Sequence, residues 1–137
     1  MQYRKIHGSH FRDMGSINQI MKDRASCGDL LECLFDLTNT DISVFLALND
    51  SKPLDLDSVA GIIGKNRSTA YRSLQKLVCM GLAVKETENI SEGGYFHTYT
   101  RVGNDSIRNM ILSRTRDLSG RISEIVNSLD SDLSSLR

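Results

Sequence analysis

A tight glycine turn between two short helical segments limits the folds open to this chain more than any other part of its sequence. Residues 55–63 place apolar side chains at helical spacing, and Gly64 follows the last of them. Asn66 can then cap a second helix with its side-chain oxygen, and we predict that helix over residues 66–80, ended by Gly81. Glycine tolerates the left-handed backbone that such a turn needs. The sequence therefore predicts helix, turn and helix.

The second of these helices is polar along one side. Its inward positions hold Ala70, Leu74, Leu77 and Val78. Its outward positions hold cations, hydroxyls and an amide: Arg67, Ser68, Thr69, Tyr71, Arg72, Gln75 and Lys76. Two β-prone runs follow at residues 82–88 and 95–101, joined by a loop with two glycines. We predict a β-hairpin, here termed the wing, directly after the helix-turn-helix.

Helical periodicity predicts further helices on both sides of this unit. Before it, we expect a helix with an apolar face around Leu34, and then a helix capped by Thr40 or Asp41. After it, Asn104 or Asp105 can cap one long helix with a kink at Gly120. Its apolar residues recur at spacings of three, four or seven: Ile107, Met110, Ile111, Leu118, Ile122, Ile125, Leu129, Leu133 and Leu136. At ~1.5 Å per residue, this helix exceeds what a small domain needs to cover its core, so we expect it to pack against a second copy.

Charge is unevenly distributed, although the formal net charge is +0. Residues 64–101 carry six cations against three carboxylates, a net charge of +3. Residues 28–63 carry one cation against seven carboxylates, a net charge of −6. A neutral protein with one basic stretch can present that surface to phosphate while its other faces stay acidic.

Three stretches form one combined pattern: a helix-like stretch at residues 37–48, the run from Pro53 to Leu77, and Met80-Gly81-Leu82-Ala83. Together they resemble winged-helix regulators of the MarR and archaeal TrmB-like groups. The resemblance implies a winged helix-turn-helix that binds DNA. Residue by residue, it implies that the outward side chains of the second helix face DNA, that Lys76 lies near the phosphate backbone, and that Lys85 and Arg101 flank the wing. The loop of the wing departs from the family pattern, because it carries Glu92 and no Arg or Lys.

These observations predict a mainly α fold with a small β-hairpin, an α+β winged helix-turn-helix with a long C-terminal dimerisation helix. A chain of 137 residues is expected to form one core. We divide it into an N-terminal arm or accessory helix (1–27), a DNA-binding domain (28–102) and a dimerisation helix (103–137). No apolar run approaches the ~20 residues of a membrane span and no signal peptide is visible, so we expect a cytoplasmic protein without a membrane partner.

The predicted partner is double-stranded DNA, read by side chains that reach base edges or grip phosphates. Arg67 and Arg72 can each donate two hydrogen bonds to guanine or to phosphate, and hydroxyls and amides can read other base edges. The expected site is Asn66, Arg67, Ser68, Thr69, Tyr71, Arg72, Gln75, Lys76, Lys85 and Arg101. Two alternatives stay open here: Tyr71 can pack under the wing, and the polar face can be an ordinary solvated one.

We therefore expect a sequence-specific transcription regulator, a repressor acting as a homodimer on a pseudo-palindromic operator. The N-terminal segment is a second candidate for the dimer contact, and the sequence does not identify a small-molecule effector. The rival interpretation is a winged-helix protein-interaction module without sequence-specific DNA binding. No nucleophile elbow, phosphate loop or His-Glu metal motif occurs, so we do not expect an enzyme or a cofactor.

The three cysteines are expected to be free thiols, because their number is odd and a reducing compartment is expected. Cys27 and Cys33 are candidates for a redox switch, which would make the chain a thiol-based sensing regulator, whereas Cys79 is expected to be a small buried hydrophobe. His7 and His10 could join the first two cysteines in a metal site, but the spacing is poor for zinc and we predict no metal.

Overall fold

The structure, a computed structural model, describes residues 16–136, which alternate short helices with three strands before a long helix. The elements in chain order are α1 (Ser16–Met21), α2 (Cys27–Phe35), α3 (Asn39–Ala47), β1 (Leu54–Asp55), α4 (Leu56–Ile63), α5 (Arg67–Cys79), β2 (Ala83–Asn89), β3 (Tyr95–Arg101), α6 (Asn104–Asn127) and α7 (Leu129–Ser135). The strands form one antiparallel sheet in the order β1-β3-β2. The predicted fold class, mainly helical with a small sheet and a long C-terminal helix, is confirmed.

The core lies where α2, α3, α4, α5 and the base of the hairpin meet. Its fully buried large side chains are Leu31, Val44, Val59, Leu74, Leu77 and Leu82. Each comes from the apolar stripe of its own helix or from the start of β2, so local periodicity brings all of them to one cluster. The burial of these apolar groups is the main favourable contribution to the stability of the module.

The helix-turn-helix forms as predicted. Gly64 ends α4 in the left-handed conformation, with φ at 67°, and its N–H donates to the Ala60 carbonyl. Asn66 caps α5, because its side-chain oxygen accepts a hydrogen bond of 2.8 Å from the Thr69 N–H. The turn between the two helices is therefore held at both ends by backbone groups that would otherwise lack partners.

The prediction that Thr40 or Asp41 caps α3 was wrong, because Thr38 occupies the cap. The Thr38 hydroxyl accepts from the Asp41 N–H at 3.1 Å, and the Asp41 carboxylate accepts from the Thr38 N–H at 3.0 Å. This reciprocal pair is a capping box. The cap lies two or three residues earlier than expected because several neighbouring side chains are able to cap, and α2 has already ended at Asp36 in the left-handed conformation.

The C-terminal helix also differs from its prediction. Gly103 is the cap of α6 and makes no side-chain hydrogen bond, so neither Asn104 nor Asp105 caps it. The helix runs through Gly120 without a break and is interrupted only at Ser128, where α7 follows. Arg114 connects α6 to α2, since its Nε donates to the Leu34 carbonyl at 2.8 Å. From residue 112 to residue 136 every residue is exposed.

Candidate nucleic-acid interface

A buried polar cluster fixes α5 against α3. Asp41 is 5% exposed, and its carboxylate accepts from the Ser73 hydroxyl at 2.6 Å and from the Lys76 ammonium at 2.8 Å. Lys76 also donates to the Asp36 carbonyl at 2.8 Å. Because a buried carboxylate without partners would be costly, these bonds favour one position of α5 along α3.

The electrostatics of this cluster favour the charged form of Asp41. Burial raises the pKa of Asp41, but hydrogen bonds from Lys76, Ser73 and Thr38 lower it by more, so the pKa ends below its ordinary value. The carboxylate therefore stays ionised at neutral pH and keeps the Lys76 ammonium turned towards it. The resemblance implies that Lys76 lies near the DNA backbone; in the structure its side chain is 35% exposed and its ammonium binds Asp41 and the Asp36 carbonyl.

The first turn of α5 presents its functional groups to solvent. Arg67 is 70% exposed on its side chain and pairs with Asp57 through a 2.7 Å contact between Nε and a carboxylate oxygen. An exposed ion pair of this kind contributes little to stability, so the guanidinium can exchange Asp57 for another anion at small cost. Arg72 lies one turn further along, and its Nη2 donates to the Thr69 hydroxyl at 3.4 Å.

Tyr71 is an outward residue of α5, the helix that packs against β2 of the hairpin. Its side chain is 42% exposed, so it is not packed away under the wing. It lies close enough to Tyr99 of β3 to affect that residue: burial, and then Tyr71, raise the pKa of Tyr99 above its ordinary value. Tyr99 itself is 2% exposed. Tyr71 therefore belongs to the exposed surface of α5, whereas Tyr99 belongs to the core.

The structure brings together one continuous set of the predicted residues along α5 and its cap. The exposed or half-buried members of that set are Asn66, Arg67, Ser68, Thr69, Tyr71, Arg72, Gln75 and Lys76. Lys85 is half-buried on β2, opposite Tyr99. The face of α5 carries Arg67 and Arg72 as exposed cations, and Lys85 is a cation on β2, the strand that packs against α5.

Arg101 lies apart from this surface. It is the last residue of β3 and pairs with Ala83 at the base of the hairpin. Its guanidinium donates to the Val102 carbonyl at 3.0 Å and to the Asn104 side chain at 3.1 Å. There it lines a cleft between α2, α3 and α6. The side chain thus joins the wing to the start of α6, where it has structural partners of its own.

Reasoning from the sequence overlooked the outer part of the wing, where aromatic side chains are exposed. Tyr95 is 64% exposed, and its ring meets the His97 ring edge-on, with centroids 5.4 Å apart. The Thr87 hydroxyl lies 3.3 Å from Nδ1 of His97 across the hairpin. The signal that could have revealed this group is the period-2 alternation of strands, applied to charge as well as to hydrophobicity.

The cysteines are free thiols, as expected, but Cys79 is exposed and the prediction of a buried Cys79 was wrong. The inward stripe of α5 passes through Leu74 and Leu77, and at ~100° per residue Cys79 falls on the other side of the helix. Cys27 is exposed and Cys33 is half-buried.

The description of metal-ligand groups and of membrane-spanning helices covers residues 16–136. His7 and His10 lie outside the described residues. Within residues 16–136, no group of three or more His, Cys, Asp or Glu side chains could hold a metal ion. None of the helices in that range is long and apolar enough to cross a membrane.

Comparison with known proteins links this geometry to transcription regulators. The family model described as "Sugar-specific transcriptional regulator TrmB" matches residues 31–102, from α2 to the end of the wing. An uncharacterized protein of Methanocaldococcus jannaschii is 25% identical over 101 residues, which cover 74% of this chain and 76% of that protein.

Two solved archaeal structures share the fold. One, described as "Possible transcriptional regulator from Methanosarcina mazei Go1", has a TM-score of 0.69 at 21% identity and covers 78% of this chain and 93% of its own. A protein of Sulfolobus tokodaii has a TM-score of 0.54 at 25% identity and covers 69% of this chain and 92% of its own. The residues that the family model matches, 31–102, include the helix-turn-helix that carries the exposed face of α5.

Proposed function

The chain belongs to the TrmB family of transcriptional regulators and has their winged-helix fold, and from this we propose that it is a sequence-specific double-stranded DNA-binding regulator acting as a homodimer. The proposed operator is pseudo-palindromic, and the proposed effect is repression by occlusion of the polymerase. The family and the fold are those of DNA-binding transcription regulators. The proposed partner of the site is therefore double-stranded DNA.

The observation that carries the proposal is the exposed first half of α5. Arg67 lies in the first turn of α5, beside the helix's N-terminal N–H groups, and Arg72 lies five residues further along, so a phosphate and a base edge can be contacted together. Arg67 and Arg72 are proposed to donate to guanine or to phosphate, and Ser68, Thr69 and Gln75 to other base edges. Asn66 is proposed to act mainly through its cap, and Lys85 to contact the backbone.

The dimer is proposed from the C-terminal helices. Beyond Arg114 they carry an apolar stripe that the module does not cover, made of Leu118, Ile122, Ile125, Val126, Leu129, Leu133 and Leu136, each at least 44% exposed. An apolar face of this length is unfavourable in water and is typical of a helix that packs on a partner helix. This supports the division into a DNA-binding domain (28–102) and a dimerisation helix (103–137), with residues 1–27 as an arm.

We expect Arg72→Ala to weaken operator binding by at least tenfold, because it removes a charge-assisted contact at the centre of the proposed interface. If Arg67 reads a base, Arg67→Ala relaxes specificity by ~1–3 kcal/mol at one position. Fluorescence anisotropy with a labelled operator measures both. Arg116→Ala, which removes the same charge from an exposed position on α6, is the matched control and should bind as the parent does. Unchanged affinity in both α5 variants would contradict the assignment of α5.

The operator itself can be obtained by selection from random duplex DNA at low and at moderate salt, followed by sequencing of the retained DNA. Recovery of an inverted repeat, with affinity that falls steeply as salt rises, is the expected result. Absence of enrichment at either salt would favour the rival protein-interaction module. Transcription in vitro from a promoter that contains the selected site then distinguishes repression from activation.

A further inference from the structure

The C-terminal helices are basic in their first half and acidic in their second half. Residues 104–121 carry four arginines against two aspartates, a net charge of +2. Residues 122–137 carry three carboxylates against one arginine, a net charge of −2. If two copies of these helices lay side by side in the same direction, like charges would be neighbours along the whole length. In opposite directions, each basic half lies beside an acidic half, so charge favours an antiparallel pair.

The apolar stripe of these helices follows the seven-residue repeat of a coiled coil. Its positions, at alternating spacings of three and four residues, hold Arg108, Ile111, Thr115, Leu118, Ile122, Ile125, Leu129, Asp132 and Leu136. Every one of these positions from Leu118 to Leu136 is exposed in the single chain. The row is apolar along its middle, with a cation near one end and a carboxylate near the other.

An antiparallel pair centred on residue 120 matches this row with its own copy. Two residues then face each other when they lie equally far from residue 120 in opposite directions. The facing layers are Leu118 with Ile122, Thr115 with Ile125, Ile111 with Leu129, and Arg108 with Asp132. A shift of one heptad in one direction would place Asp132 opposite Thr115. A shift in the other direction would place Arg108 opposite Ile125, so only the register centred on residue 120 pairs both charges.

Arg108 and Asp132 are able to bind each other across such an interface. The Arg108 guanidinium binds the Asp105 carboxylate at 2.6 Å, and both side chains are exposed. The Asp132 carboxylate accepts from the Ser128 hydroxyl at 2.7 Å. Exposed contacts within one helix contribute little to stability, so exchanging them costs little. A guanidinium has five donors and a carboxylate two oxygens, so the present contacts can also persist.

The same register brings α7 of the second copy to the cleft between α2, α3 and α6. Leu133 of that copy is level with Ile107, which lines the cleft. The walls of the cleft also carry Leu46 of α3, which is 71% exposed, and Leu112 of α6, which is 51% exposed. These apolar side chains lack cover within the single chain, and α7 carries apolar side chains of its own. The cleft and the stripe therefore form one continuous surface for the second copy.

We propose that α6 and α7 pair antiparallel with the same helices of a second copy, centred on residue 120, and that α7 of each copy closes the cleft of the other. Arg108 and Asp132 form an ion pair at each end of the interface. This inference rests on the homodimer of the proposed function. It gives that dimer a direction, a register and a contact surface on the DNA-binding domain, through Leu46 of α3.

Charge reversal tests the direction and the register through the dissociation constant of the dimer, measured by sedimentation over a range of concentrations. Arg108→Glu places two carboxylates opposite each other at both ends, and Asp132→Lys places two cations there. Each should weaken the dimer by at least about tenfold, and the double variant, which restores opposite charges, should lie within about threefold of the parent. Arg116→Glu makes the same charge change on α6 outside the stripe and should dimerise as the parent does.

A parallel pair gives a different result. Each residue then faces its own copy, so Arg108→Glu and Asp132→Lys only replace one pair of like charges with another. Equal dimer affinity in the parent, both single variants and the double variant would therefore overturn the antiparallel inference.

Distances between spin labels test the direction independently. The labels are attached to Ser119→Cys or Ser134→Cys in a variant whose three native cysteines are replaced by serine, after circular dichroism and sedimentation show that this variant folds and dimerises. In the antiparallel pair, labels at 119 lie within about 20 Å of each other and labels at 134 about 40 Å apart, at ~1.5 Å of rise per residue. Short distances at both positions would overturn the inference.

Leu46→Asp tests the closure of the cleft. Its side chain is exposed in the single chain, so the variant should fold, but a carboxylate under the second copy's α7 should weaken the dimer by at least about threefold. Ile62→Asp, at a 60% exposed position of α4 that does not line the cleft, is the matched control and should leave the dimer unchanged. An unchanged dimer in Leu46→Asp would overturn this part of the inference.

Failure of the inference and failure of the proposed function are distinguishable. A dimeric parent with short label distances at both positions leaves the proposed homodimer intact and removes only its antiparallel direction. A parent that is monomeric at the concentrations at which it retains operator DNA contradicts the homodimer and this inference together. DNA binding itself is judged separately, by the selection of operator DNA.

Discussion

Asp41 shows how one side chain positions a functional helix. Its carboxylate belongs to the capping box of α3 and also binds Ser73 and Lys76 on α5. The same carboxylate therefore caps α3 and holds α5 in position. The orientation of α5 thus depends on a residue of another helix, which is not part of the exposed face of α5. A residue of this kind affects DNA binding only through the helix that it positions.

The lowered pKa of Asp41 makes a prediction about stability in acid. Since the folded protein binds this proton less readily than the unfolded chain, ionised Asp41 stabilises the fold at neutral pH, and this contribution is lost as pH falls below about 4. We expect Asp41→Asn to lower the free energy of unfolding at neutral pH by about 1–3 kcal/mol. Its stability should also depend less on pH in acid. Urea unfolding at neutral and acid pH measures both.

Asp117→Asn, at an exposed carboxylate of α6, is the control for this measurement. It should change neither the stability at neutral pH nor the loss in acid. Equal acid sensitivity of Asp41→Asn and the parent would show that the cluster around Asp41 contributes nothing to the pH response.

At the scale of the elements, two glycines near the C-terminus of α4 have different roles. Gly64 has a φ of 67°, which side-chain-bearing residues rarely adopt. Gly61 lies inside α4, and a Cβ added there would meet no atom within 4 Å. We expect Gly64→Ala to destabilise the protein by about 1–2 kcal/mol and Gly61→Ala to stabilise it by about 0.5–1 kcal/mol. Thermal unfolding of the two variants checks the opposite signs; shifts in the same direction would contradict this interpretation of the turn.

The elements most fully predicted from sequence are those that short-range patterns specify. The cap at Asn66, the glycine turn and the stripe of α5 are all local, and the hairpin follows from two β-prone runs and its glycines. The caps of α3 and α6 were mispredicted because several adjacent side chains can cap a helix and tertiary packing selects among them.

The surroundings of a site residue could not be predicted from the sequence where its hydrogen-bond partners lie far away in the chain. Lys76 is held by Asp41, which is 35 residues away, and the Arg101 guanidinium is held by Asn104 at the start of α6. No local pattern contains these pairings. The side chains of β3 that share a face of the wing with Glu86 and Glu88 depend on the strand register, since a shift of one residue would exchange the two faces.

At the scale of the whole molecule, the apolar stripe of the C-terminal helices leads to a prediction about assembly. Ile122 and Ser123 are neighbours on α6, but only Ile122 belongs to the stripe. In the proposed dimer, Ile122→Asp buries a charge in the interface and should convert the dimer to a monomer with weaker operator binding. Ser123→Asp adds the same charge ~100° around the helix from Ile122, outside the stripe, and should remain dimeric. Size-exclusion chromatography with light scattering distinguishes the two; a monomeric parent protein would contradict the dimer.

The contact between Arg114 and α2 has a mechanical consequence. Its Nε binds the Leu34 carbonyl and its guanidinium lies 5.4 Å from the centre of the Phe35 ring, while the residues beyond it are exposed. In the proposed dimer, this junction sets the angle between the dimer helix and the body that carries α5. A helix of 24 residues is roughly 36 Å long, so a tilt of about 10° at its root displaces its far end by about 6 Å. Half-sites on DNA repeat at about 34 Å, so the stiffness of this junction limits which operator spacings the two copies of α5 can occupy at once.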